Sequence, residues 1–225
     1  MQGLSCIIPA FNEAPRIAAV LASVVGHPEI DEVIVVDDCS TDGTAEIVSA
    51  LDGVRLIRLP VNRGKTWAVS AGIEAASHDT LMLIDSDLLG LGREALSDLI
   101  APVREGRAEV SISLRGNAPG LWRFIGLDYI SGERVLPRAL VGSVEELRAL
   151  PRFGLEVYLN RRLIAAGHRI AVVAWPEVAS PWKAAKRGGV WAGVMADLKM
   201  LADMFRTVPL HRALAQIVAM RRLRA

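Results

Sequence analysis

Acidic residues follow two short apolar runs of the sequence, at places where chemistry with a metal ion or a nucleotide could occur. The run LMLI is followed by Asp85-Ser86-Asp87, and the run VIVVD by Asp38. Two carboxylates separated by one residue can bind the same hard cation, and oxygen atoms of a diphosphate and of water then complete the coordination of Mg²⁺ or Mn²⁺. The alternative is that Asp-Ser-Asp only caps a helix beginning near Arg93, since acidic residues favour helix N-termini.

A basic turn supplies the complementary charge. Arg63 and Lys65 flank Gly64 at a predicted helix start, where cations and free backbone amides can bind a phosphate. The turn is not a Walker loop, because the spaced glycine and Gly-Lys-Ser/Thr are absent. A carboxylate at Asp38 can accept hydrogen bonds from the N–H groups of a nucleobase. The alternative for the basic turn is an ordinary solvated surface.

Alternating strands and helices would bring these residues together. Apolar runs predict strands at 4–8, 33–36, 54–59 and 80–84, and helical spacing predicts helices at 17–24, 43–51, 64–76 and 93–105. Strands that are apolar on both faces indicate a mostly parallel sheet with helices on both faces, an α/β fold. Ligands of such sheets bind outside the carboxyl ends of the strands, so the acidic strand ends should meet at one edge.

The pattern is looser after Ser113. The segment RGNAPGLWRFIG predicts a loop and an edge strand, and helices are expected near 133–140, 144–150 and 154–167, followed by a strand at 169–174. Apolar residues from Trp191 to Val208 lie on one helical face, and Leu210, Leu214, Ile217 and Val218 mark a second amphipathic helix. We therefore divide the chain into a nucleotide-binding domain at 1–180 and a basic amphipathic helical tail at 181–225.

Composition limits the classes of protein to consider. The 225 residues include 26 Lys and Arg against 25 Asp and Glu, and 52% are apolar, which excludes intrinsic disorder. Nine basic and two acidic residues fall in 183–225, so that segment carries a net charge of +7 and the rest −6. An acidic body argues against nucleic-acid binding. Two cysteines, no signal peptide and no apolar stretch of ~20 residues predict a cytoplasmic protein, able to lie on the inner face of the cell membrane.

The motifs, taken together, resemble those of family 2 glycosyltransferases of the GT-A fold. Four segments carry the resemblance across residues 4–88, in the order and spacing of the family: SCIIPAFNEAPRI, VIVVDDCSTDGT, NRGKTWAVSAGIEAA and DTLMLIDSDL. The resemblance implies a nucleotide-diphosphate sugar donor and a divalent metal, Mg²⁺ or Mn²⁺. It implies that the donor contacts Pro9, Ala10, Glu13, Asp38, Arg63, Lys65, Asp85 and Ser86, with Asp85 and Asp87 at the metal and Asp87 acting in catalysis.

The acceptor side is less specific. YISGERVLPRALV and RFGLEVYLNRRLIAAGHRI resemble the family's acceptor-side segments, and Glu156 stands where inverting members carry an acidic general base. The alternative is that Glu156 only pairs with Arg152 or Arg134. Similar segments occur in polyprenyl-phosphate glycosyltransferases and in glucosyl-phosphoglycerate-synthase-like enzymes.

The C-terminal tail indicates which acceptor and partners to expect. The basic tail, with Trp182 and Trp191, favours a lipid-linked acceptor such as polyprenyl phosphate and an anionic membrane surface, while phosphoglycerate is the soluble alternative. The tail helices could instead mediate self-association.

Two other classes of protein are considered. A nucleotidyltransferase would need a Gly-rich loop after the first strand, where PAFNEAP stands. A non-catalytic nucleotide-sugar-binding protein of the membrane surface is the other rival.

Overall fold

The computed structural model describes residues 3–150, 154–181 and 209–225. In these ranges the chain forms strands and helices in near-regular alternation. The strands are β1 Leu4–Ala10, β2 Glu32–Asp37, β3 Arg55–Arg58, β4 Thr80–Leu83, β5 Val110–Arg115, β6 Arg134–Pro137 and β7 Ile170–Trp175. The helices are α1 Ile17–Val24, α2 Thr44–Ser49, α3 Lys65–Ala75, α4 Arg93–Arg104, α5 Gly120–Ile125, α6 Val144–Arg148, α7 Gly154–Ala166 and α8 Leu210–Arg222, with a 3₁₀ helix at Arg138–Leu140.

One seven-stranded sheet runs through the protein, in the order β3-β2-β1-β4-β6-β5-β7. The pairs β3–β2, β2–β1, β1–β4 and β5–β7 are parallel, whereas β6 is antiparallel to both of its neighbours. The predicted mostly parallel sheet is therefore confirmed. Because β6 runs opposite to β4 and β5, those two strands are parallel to each other, and the carboxyl ends of β1, β2, β4 and β5 lie at the same edge.

Helices cover both faces of the sheet, as predicted for strands that are apolar on both sides. On one face, Ile7, Val36 and Leu83 pack with side chains of α3, α7 and α8. On the other, Ile8 and Val35 pack with side chains of α1 and α4. Burial of an aliphatic side chain contributes ~1.5–3 kcal/mol, so these two cores fix the strands whose ends carry the acidic residues.

Two predictions for the middle of the chain are wrong. The segment 115–126 holds the helix α5 and no edge strand, and the region expected to be helical at 133–140 begins with β6, an interior strand. Pro119 at the N-cap and Gly126, whose φ of 71° ends the helix in the left-handed region, delimit α5. In β6 the buried Arg134 interrupts the apolar pattern that would otherwise mark a strand in only four residues.

The helix predicted from Leu210 onward is α8, and its faces differ from the predicted ones. Ala213, Ile217 and Met220 are buried in the core next to α7. The exposed face carries Leu210, Leu214 and Val218, each about half accessible to solvent. Beyond α8 the backbone joins the sheet margin, where Ile170 N–H donates to Leu223 O and Ala225 N–H to Ile170 O.

The helix predicted from Trp191 to Val208, and with it Trp182, lies outside the described residues. In the part of the chain that is described, no helix combines the length and the apolar character needed to cross a bilayer. The division at residue 180 stays a prediction.

Candidate active site

A cavity of about 210 Å³ lies at the edge of the sheet where the parallel strands end. It contains eight of the ten residues predicted from the sequence as site residues. The residues that line it are Pro9, Ala10, Phe11, Glu13, Asp38, Lys65, Ala68, Asp85, Ser86 and Asp87. The acidic strand ends therefore do converge, as the parallel sheet predicts.

Asp38, directly after β2, is buried and held by backbone amides. Its Oδ1 accepts a hydrogen bond from Arg63 N–H at 2.8 Å, and its Oδ2 accepts one from Gly64 N–H at 2.7 Å. Gly64 has a φ of 89°, a conformation in which glycine carries no steric penalty. Asp38 thus fixes the start of α3 while it lines the cavity, and its carboxylate oxygens keep lone pairs for a further donor.

Lys65, the first residue of α3, lies between two carboxylates. Its Nζ is 2.7 Å from Asp85 Oδ1 and 3.3 Å from Glu156 Oε1. Desolvation opposes the charge on the ammonium, but attraction to Asp85 and Glu156 outweighs it and raises the pKa of Lys65. Similarly, desolvation acts against ionisation of Asp85, and the nearby Lys65 ammonium still brings the pKa of Asp85 below its usual value.

Asp87 is in a different situation, because no described residue donates a hydrogen bond to its carboxylate or forms an ion pair with it. Desolvation, together with the negative charges of Asp85 and Glu13, raises the pKa of Asp87 to about 6. Glu13 itself is paired with Arg16, with 2.6 Å between Oε2 and Nη2. Among the described residues, Asp87 is therefore the acid of the cavity that has neither an ion-pair partner nor a hydrogen-bond donor.

This arrangement fits a divalent cation. Among the described residues, no group of three or more His, Cys, Asp and Glu side chains is placed to hold a metal ion. The unneutralised Asp87 and its neighbour Asp85 offer carboxylate oxygens, the ligands that Mg²⁺ and Mn²⁺ prefer. The remaining ligands would have to come from a bound diphosphate and water, which makes the site suited to a metal that arrives with a nucleotide.

Two predicted site residues lie elsewhere. The Arg63 guanidinium stacks over the Trp67 ring, 4.6 Å from its centroid, and Arg63 does not line the cavity. Glu156, near the start of α7, is buried, reaches the cavity through Lys65, and attracts the buried Arg134. Of the pairings weighed for Glu156, Arg152 lies outside the described residues and Arg134 forms no ion pair with it; the described ion pair of Glu156 is with Lys65. The roles of Arg63 and Glu156 stay predictions.

A buried polar cluster beside the cavity could not be found from the sequence. The Glu133 carboxylate accepts hydrogen bonds from Ser113 Oγ at 2.7 Å and Ser131 Oγ at 3.0 Å, and it forms an ion pair with Arg115 at 3.3 Å. Arg115, at the carboxyl end of β5, also attracts Asp85 and Asp87. The only sequence signal was the SGER segment, whose polar residues gave no indication of burial.

Comparison with known proteins identifies relatives. The family model described as "Glycosyl transferase family 2" matches residues 5–153. The succinoglycan biosynthesis protein ExoO of Rhizobium meliloti is 40% identical over 162 residues, which cover 70% of this chain and 42% of that protein. The poly-beta-1,6-N-acetyl-D-glucosamine synthase of Staphylococcus epidermidis is 35% identical over 92 residues, 39% of this chain and 22% of that protein. This chain therefore spans less than half the length of these curated relatives.

Solved structures of glucosyl-3-phosphoglycerate synthase from Mycobacterium tuberculosis share the fold. The complex with Mn²⁺, uridine diphosphate and phosphoglyceric acid has a TM-score of 0.70 at 25% identity, covering 92% of this chain and 78% of that chain. The complex with Mg²⁺ and uridine diphosphate has a TM-score of 0.66 at 27% identity, covering 80% and 72%. The sheet with helices on both faces is thus of the predicted GT-A type.

Proposed function

The chain belongs to glycosyl transferase family 2, and we propose that it transfers a sugar from a nucleotide-diphosphate donor to an acceptor oxygen in a metal-dependent reaction. The observation that carries this proposal is the single cavity in which Asp38, Lys65, Asp85 and Asp87 meet at the strand ends. The structural neighbours bind a divalent ion together with uridine diphosphate or uridine-diphosphate-glucose, which supports the same function.

The nucleoside of the donor occupies the part of the cavity formed by the end of β1 and the loop after β2. Pro9 and Ala10 supply apolar contact there, and Glu13 closes the side next to α1. The Asp38 carboxylate, already oriented by the amides of Arg63 and Gly64, accepts a hydrogen bond from the base. This pre-orientation lowers the entropy lost when the nucleotide binds.

The diphosphate of the donor lies near Asp85, Ser86 and Asp87. A divalent ion, when bound there, neutralises the charge that develops on the departing nucleoside diphosphate. Asp87, which has no described ion-pair partner, and Asp85 would supply the carboxylates that hold this ion. The Arg115 side chain, 14% exposed, adds a fixed positive charge on the side from which the acceptor approaches.

Glu156 is proposed as the acceptor-side base. Its buried carboxylate lies 3.3 Å from Lys65 Nζ, next to the cavity, where it could take the proton of an attacking hydroxyl group. An acceptor phosphate is already anionic at neutral pH and requires no strong base. With such an acceptor, Glu156 serves to position Lys65.

A lipid-linked phosphate is the proposed acceptor. The short helix α5 begins at the sheet edge that carries the cavity, and it exposes Phe124 (90%) and Leu121 (50%) to solvent. Apolar side chains so exposed, together with the basic residues of 183–225, favour a membrane surface next to the acceptor side. The soluble alternative, a phosphoglycerate-like acceptor, is supported by the phosphoglyceric acid bound to a structural neighbour.

The reaction is tested with purified protein, Mn²⁺ and a panel of nucleotide-diphosphate sugars, with mass spectrometry of the products. Each donor is offered with a polyprenyl phosphate in detergent and, separately, with 3-phosphoglycerate. Glycosylated polyprenyl phosphate supports the proposal, and glycosylated phosphoglycerate supports the soluble alternative. Nucleotide binding without transfer or donor hydrolysis would contradict an enzymatic role and favour a non-catalytic nucleotide-sugar-binding protein.

Membrane association and self-association need a separate test. Truncation at residue 180 is unsuitable, because α8 supplies core residues. The full chain should sediment with anionic vesicles and less with neutral ones, and Phe124→Ser with Leu121→Ser should weaken sedimentation. The double variant Leu214→Ser and Val218→Ser alters the exposed face of α8. Weaker sedimentation with vesicles would show that this face contacts lipid, whereas a smaller molecular mass in light scattering would show that it contacts a second copy of the chain. Unchanged sedimentation and unchanged mass in all variants would exclude both surfaces.

A further inference from the structure

Lys65 occupies a position that its proposed role in phosphate binding does not explain. It extends from the start of α3 to two carboxylates on different elements, Asp85 after β4 and Glu156 on α7. The side chain is 41% exposed, so its end can leave this position without disturbing the core.

The backbone of Gly132 is packed against this ion pair. A Cβ atom added at Gly132 would lie 2.7 Å from Lys65 Nζ and 2.8 Å from both Asp85 oxygens, closer than real Cβ atoms approach such groups. Any side chain at this position would therefore force Lys65 Nζ, the Asp85 carboxylate or both to move. The loop before β6 thus leaves room for the pair only because residue 132 is a glycine.

We propose that the Lys65 ammonium is an internal counter-ion for Asp85, which a divalent ion can displace only when a donor diphosphate offers Lys65 a new anionic partner. This inference rests on the proposed function. A dication placed beside Asp85 while Lys65 remains there would meet a like charge at close range. A diphosphate removes that repulsion, because its oxygens bind both the ion and the ammonium.

The consequence is a coupling between the two ligands. The nucleotide should strengthen metal binding, and by thermodynamic linkage the metal should strengthen nucleotide binding by the same factor. Asp87 remains available throughout, since no described residue forms an ion pair or a hydrogen bond with its carboxylate. Metal alone should therefore bind weakly through Asp87, and the full site should form only with the nucleotide.

The test measures Mn²⁺ binding from the electron paramagnetic resonance signal of the free ion, with and without uridine diphosphate, after correction for Mn²⁺ bound by the nucleotide itself. Lys65→Met should bind Mn²⁺ alone at least ~10-fold more tightly than the unaltered protein, because a like charge has been removed next to the site. The gain in affinity upon addition of uridine diphosphate should then become smaller. Lys65→Arg, which keeps the charge, should bind Mn²⁺ alone as weakly as the unaltered protein.

Arg107→Met is the matched control, since it removes one positive charge from an exposed side chain whose described ion pair is with Glu105, outside the cavity. It should leave the affinity for Mn²⁺ alone unchanged. Circular dichroism verifies that each variant is folded.

Equal affinity of Lys65→Met and the unaltered protein for Mn²⁺ alone would overturn the inference. If that result is accompanied by weaker nucleotide binding in Lys65→Met, the lysine acts only as a phosphate contact, and the proposed function stands. If the unaltered protein transfers no sugar and binds no nucleotide with Mn²⁺, the proposed function fails, while the measurement with Mn²⁺ alone still decides the role of Lys65.

Discussion

The two halves of the sheet hold their buried acids in different ways. In the half formed by β1 to β4, the Asp38 carboxylate accepts hydrogen bonds from two backbone amides, those of Arg63 and Gly64. In the half formed by β5 to β7, the Glu133 carboxylate is held by side chains, among them Ser113 and Arg115. Any sequence that adopts the required turn conformation supplies backbone amides, whereas each side-chain partner depends on a particular residue at a particular position of the sequence.

The difference separates two tasks. Acids held by the backbone keep lone pairs that face the cavity, and Asp87 is left without any described partner. The Glu133 carboxylate is consumed in internal pairs, and it fixes the loop at 131–133 next to Lys65 and Asp85. The first half of the sheet thus presents negative charge to a ligand, and the second half supports the loop at 131–133 that packs against Lys65 and Asp85. The following variants test this division.

The largest effect is expected for Asp87→Ala, which removes the acid that the first half leaves exposed to a ligand. Turnover with Mn²⁺ should fall about a thousandfold, the usual loss when a group that stabilises developing charge is removed. The melting temperature should not fall, because no described residue pairs with Asp87. Asp98→Ala, on the exposed side of α4, is the control and should keep full activity. Retained Mn²⁺-dependent turnover in Asp87→Ala would place the metal elsewhere.

Glu133→Ala should have the next largest effect, this time on the stability of the fold. The substitution leaves Arg115 with one carboxylate fewer in a buried setting, and the free energy of unfolding should fall by ~3 kcal/mol in urea denaturation. Glu109→Ala removes a partly exposed ion pair with Arg169 in the same half, and it should lose no more than ~1 kcal/mol. Similar losses of unfolding free energy in both variants would mean that the buried Glu133 cluster stabilises the fold no more than a partly exposed ion pair does.

A smaller effect is expected for Asp38→Asn, which replaces one acceptor oxygen by an amide that faces a backbone N–H group. Stability should fall by ~2 kcal/mol, because one buried amide loses its acceptor. The affinity for uridine diphosphate should fall as well, by more than the rate of transfer from bound donor. Asp52→Asn, exposed in the turn before β3, is the control for both measurements. Full stability of Asp38→Asn would show that the α3 turn does not depend on this carboxylate.

The smallest effect concerns Asp128, where burial raises the pKa of the carboxyl group to about 6. Since an unfolded Asp titrates near ~3.9, the folded state favours the protonated form, and ionisation destabilises the protein increasingly as the pH rises from about 4 to 6. Asp128→Asn removes this penalty. At pH 8 it should be more stable than the unaltered protein by on the order of 1 kcal/mol, with the advantage vanishing below pH ~4. An advantage that does not depend on pH would have another origin.

Sequence reasoning succeeded where local chemistry determines the structure. The strand ends at Pro9, Asp38 and Asp85 were placed at one edge because apolar runs and turn residues mark a parallel sheet. It failed at β6, where Arg134 is buried by contacts with Asn160 and the Ser131 carbonyl, partners that no local pattern indicates. The helix α5 could have been found, because Pro119 and Gly126 are typical boundaries of a short helix.

The antiparallel strand β6 has a consequence for the order in which the protein folds. The pairs β1–β2 and β2–β3 each join strands connected by a single helix. In contrast, β4 pairs with β1 across three helices and two strands, and β6 pairs with β4 across α4, β5 and α5. Closing long loops delays such pairings, so the contact order of β6 is high and its docking should be late. In pulse-labelled hydrogen exchange during refolding, the amides of β1 and β2 should become protected before those of β6. The part of the cavity formed by the ends of β1 and β2 would then exist before Gly132 and Glu156 arrive to close it.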